Sequence, residues 1–289
     1  MSNKPGTKNE RPDFMEKGVF SWNARGYRFS ATPSMTLMSP SALDHDNPWI
    51  VLAGVLERAK GGDFESLPLL TRCVRESDHP VLWRASFELL GDAGSMPLVK
   101  NVLHRFSAEI LENGEALFQR HLAYTLAQSL YLWIVPLMLD IYLRSTDRQE
   151  TGIITVLLSR LLEEELGPIG AAAGPDDEYR ELVTNRYDTL REELGGDSSP
   201  VLYGKPFSVG ALTAHLSKTL RAARPDRVSV QTDRHLFEAA TGLDCSRFFE
   251  NGELKAPRAI AVVEDFLMSG GLAPFQDGTR YFFGHEILA

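Results

Sequence analysis

Imidazoles, thiols and facing carboxylates do most side-chain chemistry near neutral pH, and this sequence scatters all three. Its seven histidines are His45, His79, His104, His121, His215, His235 and His285. No two stand four residues apart, so no helix face carries the paired imidazoles of an HExxH metal site. His285, in Gly284-His285-Glu286, is the one histidine singled out for a site role; the plainer reading is a partly exposed tail residue. Cys73 and Cys245 are too few for a disulfide framework or a four-thiolate zinc site. Each has apolar neighbours, which suits buried thiols in a reducing compartment.

Two acidic runs could be read as acid–base pairs: Glu163-Glu164-Glu165 and Glu264-Asp265. Catalysis needs two carboxyls facing each other across a cleft. Consecutive helical residues fan out by about 100° each, so these runs suit solvated edges better. Arg221, Arg224 and Arg227 form the best basic cluster, but Pro225 interrupts it and helix C-termini favour cations anyway. The sequence holds no GxSxG, Walker-A loop or GxGxxG following a strand. No catalytic residue, metal or cofactor is expected.

The elements that would position any site are helices. The 289 residues are 43% hydrophobic and 24% charged, within the globular range. Residues 1–46 are rich in Ser, Pro, Asn and Gly; VFSW and YRFS there flank Asn23-Ala24-Arg25-Gly26 as a short hairpin. Apolar periodicity then predicts helices near 48–60, 64–76, 80–91, 96–110, 115–129, 132–144, 149–166 and 176–194. Start signals support them: Ser95 before Met96-Pro97, Asp147 with Glu150, and Asp176-Asp177-Glu178 in a first turn. The uncharged stretch between His121 and Asp140 reads as two buried helix ends around a tight connection near 130–132, not as a membrane span. Glycine and proline at 195–206 mark a boundary. Amphipathic helices follow at 208–223, 231–242 and 257–270, and GTRYFFGHEIL ends the sequence as a strand or extended tail.

The segment Ser77 to Leu103, SDHPVLWRASFELLGDAGSMPLVKNVL, resembles a short HEAT repeat of the phycobilisome-lyase type. Asp78, Arg84-Ala85, Leu90-Gly91, Gly94, Leu98, Val99 and Leu103 carry the likeness. Weaker echoes stand at Pro68-Leu69-Leu70 and Pro136-Leu137-Met138. The resemblance implies an all-α fold: a HEAT-like α-solenoid of antiparallel helix pairs, with a C-terminal helical cap and minor β or extended segments at both ends. The expected division is 1–46, an N-terminal extended segment; 47–195, the repeats; and 196–289, the capping region. Trp83 and Trp133 are expected in the core.

The stretch Thr241 to Ile287 is similar to the end of helical immunity proteins from bacterial polymorphic-toxin systems. The residues behind this are Asp244-Cys245, Phe248-Phe249, Glu264-Asp265-Phe266-Leu267 and Arg280-Tyr281-Phe282-Phe283-Gly284-His285, extended by Tyr203-Gly204-Lys205-Pro206-Phe207. The resemblance implies stoichiometric neutralisation of a cognate toxin. A balance of 39 acidic against 30 basic residues, net −9, disfavours nucleic acid and favours a cationic protein partner, such as a toxin domain encoded nearby. The expectation is therefore a cytoplasmic, non-catalytic, protein-binding scaffold that touches no membrane. Glu163, Glu164, Glu165 and Arg280 are its candidate partner-binding residues. The alternative is a HEAT-like enzyme or lyase acting on a bound cofactor or nucleic acid, which would need convergent ionisable groups in a polar pocket.

Overall fold

The computed structural model describes residues 10–15, 26–29, 31–33, 35–77, 79–102, 116–145, 148–164, 167–171 and 176–288. The expected hairpin around Asn23–Gly26, the Asp147 capping box, Asp78 and Leu103 of the repeat-like segment, and Glu165 fall wholly or mainly outside them. The fold is mostly helical. Among the described residues, no helix is long and apolar enough to cross a membrane.

The chain forms two units, each discontinuous in sequence. The first takes the described residues of Met1–Ala93 together with Val209–Phe275 and Tyr281–Ile287. The second takes Gly94–Ser208 and Gln276–Arg280, with the last residues of the chain. Sequence periodicity divides the chain into consecutive blocks instead, because periodicity reports helices and carries no sign of which distant helices share a core.

In the first unit, α1 (Pro40–Leu43) and α2 (Pro48–Lys60) open with proline behind a capping Ser39 and Asn47. The Asn47 side chain accepts from the Trp49 amide at 3.0 Å, satisfying one of the donors a helix start leaves open. Trp49, Val51, Leu52, Val55 and Leu56 are buried, so α2 is covered on most sides. Helices α3 (Leu70–Arg75) and α4 (Pro80–Ala93) pack in turn on it. Trp83 on α4 is only half-buried; Val81 points outward, while Ser86, Glu88 and Asp92 are buried.

The second unit begins with a helical run at 96–102, followed by α5 (Ala116–Ser129), α6 (Val135–Arg144), α7 (Arg148–Leu162), α8 (Pro168–Ala171) and α9 (Asp176–Glu193). The connection expected near 130–132 is present. Leu130 takes a left-handed φ of 61°, uncommon for leucine, ahead of a single 3-10 turn at Leu132–Ile134. It is held there by its carbonyl, which accepts from the Val201 amide at 2.7 Å. Trp133, expected in the core, is half-buried.

Back in the first unit, α10 (Val209–Leu220), α11 (Arg227–Thr241) and α12 (Ala256–Met268) complete the helices. Helix α11 starts four residues before its expected position. Asp226 caps it by accepting from the Ser229 amide at 2.8 Å, and Gly242 ends it at φ 73°.

Among the described residues, three two-stranded hairpins punctuate the C-terminal half: β1–β2 (Val201–Leu202 with Lys205–Pro206), β3–β4 (Phe249–Glu250 with Glu253–Leu254) and β5–β6 (Tyr281–Phe282 with His285–Glu286). Only the last was anticipated, as a single extended tail. Each turns on two positive-φ residues, Tyr203-Gly204, Asn251-Gly252 and Phe283-Gly284, the backbone of a type I′ turn. Two of these turns cap helices. Tyr203 and Gly204 donate to the carbonyls of Arg160 and Leu161 at 2.7 and 2.9 Å, at the end of α7. Phe283 and Gly284 donate to Ala239 and Ala240 at 2.7 and 2.8 Å, at the end of α11. Each unit thus uses a hairpin turn to satisfy carbonyls that its helix leaves open.

Candidate functional site

The densest cluster of ionisable groups lies inside the first unit, between α4, α11 and the segment Gly26–Phe29. Its centre is Asp92. Asp92 Oδ2 accepts from the Tyr27 hydroxyl and lies 2.6 Å from His235 Nε2. All three are buried. Arg84 on the same helix reaches Glu88 Oε1 at 2.6 Å, one turn before Asp92. Beside His235, the Arg234 guanidinium donates to Glu238 Oε2, one turn further along α11, at 3.1 Å, and both residues are fully buried.

The short segment crossing this cluster contributes from each of its residues. Gly26, at φ +58°, lies so close to Glu238 that a Cβ there would fall 2.4 Å from the carboxylate oxygen. Tyr27 stacks edge-on against Phe282 at 5.2 Å. Arg28 Nε stands 3.6 Å from Glu238 Oε1 and 3.3 Å from Asp244 Oδ1. Phe29 receives the Lys60 ammonium over its ring at 5.0 Å.

Burial sets the charge states. It pushes the Glu238 carboxyl up to about 7, against the pull of Arg234, His235 and Arg28. Burial also raises Glu88, with Arg84 and His235 opposing. For His235 burial works against the charge, but the Asp92 carboxylate and its hydrogen bond outweigh it and hold the imidazole above its ordinary value. Tyr27 is driven well up by burial and by Asp92, so it stays a phenol and a donor. A second imidazole–carboxylate pair, His215 Nδ1 to Asp233 Oδ2 at 2.6 Å, joins α10 to α11.

Chemically, Tyr27–Asp92–His235 is a proton-sharing chain in which one carboxylate orients an imidazole. His235 is 7% exposed and lies beneath Tyr27, with ring centroids 5.6 Å apart. Sequence reasoning passed over this cluster. The available signal was spacing: Glu88 with Asp92 and Arg234 with Glu238 are i, i+4 pairs, the first in a mostly apolar helix. Among the described residues, no group of three or more His, Cys, Asp or Glu side chains is placed to hold a metal ion.

The residues singled out from sequence are dispersed. Glu163 is turned inward at the end of α7: its carboxylate accepts from Ser159 Oγ at 2.5 Å and from the Ile169 amide at 2.9 Å, with the Gly167 and Gly170 amides at 3.3 Å. It is a cap for α8. Glu164 is exposed and pairs with Lys205 of β2 at 2.7 Å. Arg280 is 5% exposed; its guanidinium donates to the Gly94 carbonyl at 2.7 Å and lies 4.9 Å from the Tyr131 ring centroid. His285 stands exposed on β6, and Glu264 is salt-bridged to Arg221 at 2.6 Å.

A run of exposed charge lies on α9 of the second unit. Asp176, Asp177, Glu178, Glu181, Glu192 and Glu193 are exposed, while Tyr179, Val183, Tyr187 and Leu190 are buried on the other side. Of the basic residues on this helix, Arg180 and Arg191 pair with its own Asp177 and Asp188. Arg186 turns in to the Leu162 carbonyl at 2.8 Å.

Fold and site together define a mostly helical protein with an internal ionic cluster and an acidic outer helix. No protein-family model matches the chain, and no curated protein or solved structure matches it.

Proposed function

We propose that this chain is a protein-binding scaffold, most specifically one that neutralises a cognate bacterial toxin by binding a cationic surface on it. The single observation behind this reading is the outer face of α9, where Glu178, Glu181 and Glu192 stand exposed opposite an inner face anchored by four buried apolar and aromatic residues. A fixed row of like charge on a rigid element steers a cationic partner and loses little entropy on docking. In this reading the successive helix pairs are HEAT-like, and the protein works in the cytoplasm, where the buried free thiols of Cys73 and Cys245 suit a reducing environment.

Of the residues that carry the likeness to immunity proteins, Cys245, Phe248, Phe266, Arg280, Tyr281 and Phe282 are buried, whereas Asp244, Asp265, Leu267, Gly284 and His285 are exposed. In this reading the partner is taken up on α9.

Expressing the products of the two neighbouring genes, each alone and each beside this chain, tests the proposal. The expected result is that one of them arrests growth, that co-expression relieves the arrest, and that the two chains purify as a complex of fixed stoichiometry. If neither product is toxic and neither co-purifies, the reading fails.

A further inference from the structure

We propose that Gly26–Phe29 is a proton-operated strap, which closes over Glu238 when that carboxyl takes up a proton and opens when it gives the proton up. This goes beyond the binding function and does not depend on it.

The geometry is that of a cover. The Gly26 backbone packs directly on the Glu238 carboxylate, closely enough that no side chain fits between them. Tyr27 plugs into the interior through Asp92, and Arg28 reaches the C-terminal end of α11, its Nη2 lying 3.4 Å from the Gly242 carbonyl. Glu238 Oε2 takes the Arg234 guanidinium, whereas Oε1 accepts no hydrogen bond and lies 3.6 Å from Arg28 Nε. A buried carboxylate with one oxygen left without a donor is costly while charged and much less so once protonated. Lifting the strap admits water to that oxygen and removes the cost.

The groups facing Glu238 come from every side. Its own helix supplies Arg234 and His235; the loop beyond supplies Asp244 and Cys245; the strap supplies Arg28 and Tyr27; α2 supplies Lys60. Around them α4 adds Arg84, Glu88 and Asp92, α10 adds His215 opposite Asp233, and β5 adds Tyr281. The cations pull the carboxyl down, but burial outweighs them and holds it at about 7. With the strap lifted, water returns the carboxyl towards its ordinary 4.5. Closing therefore takes up one proton between those two values, and the strap opens as pH rises through neutrality. One linked proton changes the closing equilibrium by up to about tenfold per pH unit within that window.

Tryptic cleavage after Arg28, in the full chain, reads the open population when opening is fast relative to cutting. Each rate is normalised to a free peptide of residues 26–31 cut at the same pH, which cancels the pH dependence of the protease. The normalised rate is expected to rise about tenfold from pH 6 to pH 8.5. In Glu238→Gln the side chain cannot titrate, and the rise shrinks to what His235 contributes through Asp92 and Tyr27. In Arg28→Lys a cation and a cleavage site remain, and a rise of similar size persists. A normalised rate in the unaltered protein that differs less than about twofold between the two pH values overturns the proposal, as does an undiminished rise in Glu238→Gln.

Discussion

At the scale of single residues, Asp92 is the most exacting position. One buried oxygen serves both the Tyr27 hydroxyl and the His235 imidazole, so removing it strands two groups at once. Breaking a buried ionic contact from one side costs about 3–5 kcal/mol, whereas deleting a hydroxyl costs about 1 kcal/mol. Asp92→Ala is accordingly expected to lower the unfolding free energy by about 3 kcal/mol, and Tyr27→Phe by about a third as much; urea denaturation at fixed pH measures both. The same cluster sets a pH profile. His235 is held above its ordinary 6.5, so its stabilisation is complete below that value and is lost as pH rises through the folded value. Glu238 is raised from 4.5 to about 7, so the folded state keeps a proton that the unfolded chain releases, and stability again falls as pH rises through about 7. Asp244 runs the other way: burial opposes it, but its Ser246 hydrogen bonds, with Arg28 and Arg247, hold it below 3.8, so its contribution is lost only in strong acid. The unfolding free energy is expected to fall by at least about 1 kcal/mol from pH 6 to pH 8.5 and to fall less in Glu238→Gln. An unchanged slope in that variant would remove Glu238 from the account. Little of this was legible in the sequence. Tyr27, Asp92 and His235 are far apart along the chain, and only the i, i+4 spacings within two helices marked them.

At the scale of elements, helices were legible and hairpins were not. Helix α2 begins and ends where its pattern places it, because Asn47 and Pro48 punctuate its start and Gly61-Gly62 its end. Helix α9 likewise matches, with Asp176, Asp177 and Glu178 in its first turn. The hairpins escaped because each strand has only two residues, too short for any alternation to register. Asn251-Gly252 was the strongest turn signal available; Tyr203-Gly204 and Phe283-Gly284 put aromatics where asparagine or glycine is favoured. Equivalent turn positions nevertheless differ in what surrounds them, which yields a graded prediction. A Cβ at Gly204 would lie 2.7 Å from the Leu162 carbonyl oxygen, on the helix end that the turn caps. At Gly284 it would meet nothing within 4 Å. Both glycines have positive φ, so alanine strains both backbones by about 1 kcal/mol. Only Gly204→Ala also pushes the turn off α7. Its unfolding midpoint in urea is expected to drop clearly below that of Gly284→Ala; equal midpoints would show that the cap on α7 yields at no cost.

At the scale of the molecule, composition reported a net charge of −9 but not its distribution. Glu163, the first residue of the acidic triplet, is spent on capping α8, and Glu164 is paired to Lys205. Exposed carboxylates stand instead on α9, whose own arginines are tied to neighbours or turned inward. The two-unit division was hidden for a related reason: residues on either side of Gly94–Ser208 share one unit, and a periodic pattern says nothing about such long-range pairing. The location of the charge makes the binding proposal quantitative. Charges at the rim of a docking surface act mainly on the association rate, and salt screens them over about 8–10 Å at physiological strength. Reversing Glu178, Glu181 and Glu192 to lysine is expected to slow association with the co-purifying neighbour about tenfold or more at low salt and to flatten its salt dependence, with dissociation changed much less. These side chains are exposed, so thermal unfolding should shift little. The matched control reverses Glu250 and Glu253 on the β3–β4 hairpin and Asp265 on α12, all exposed in the other unit, which changes net charge by the same amount without touching α9. Equal slowing in both variants would mean that overall charge alone steers the encounter, and α9 would lose its role as the docking face.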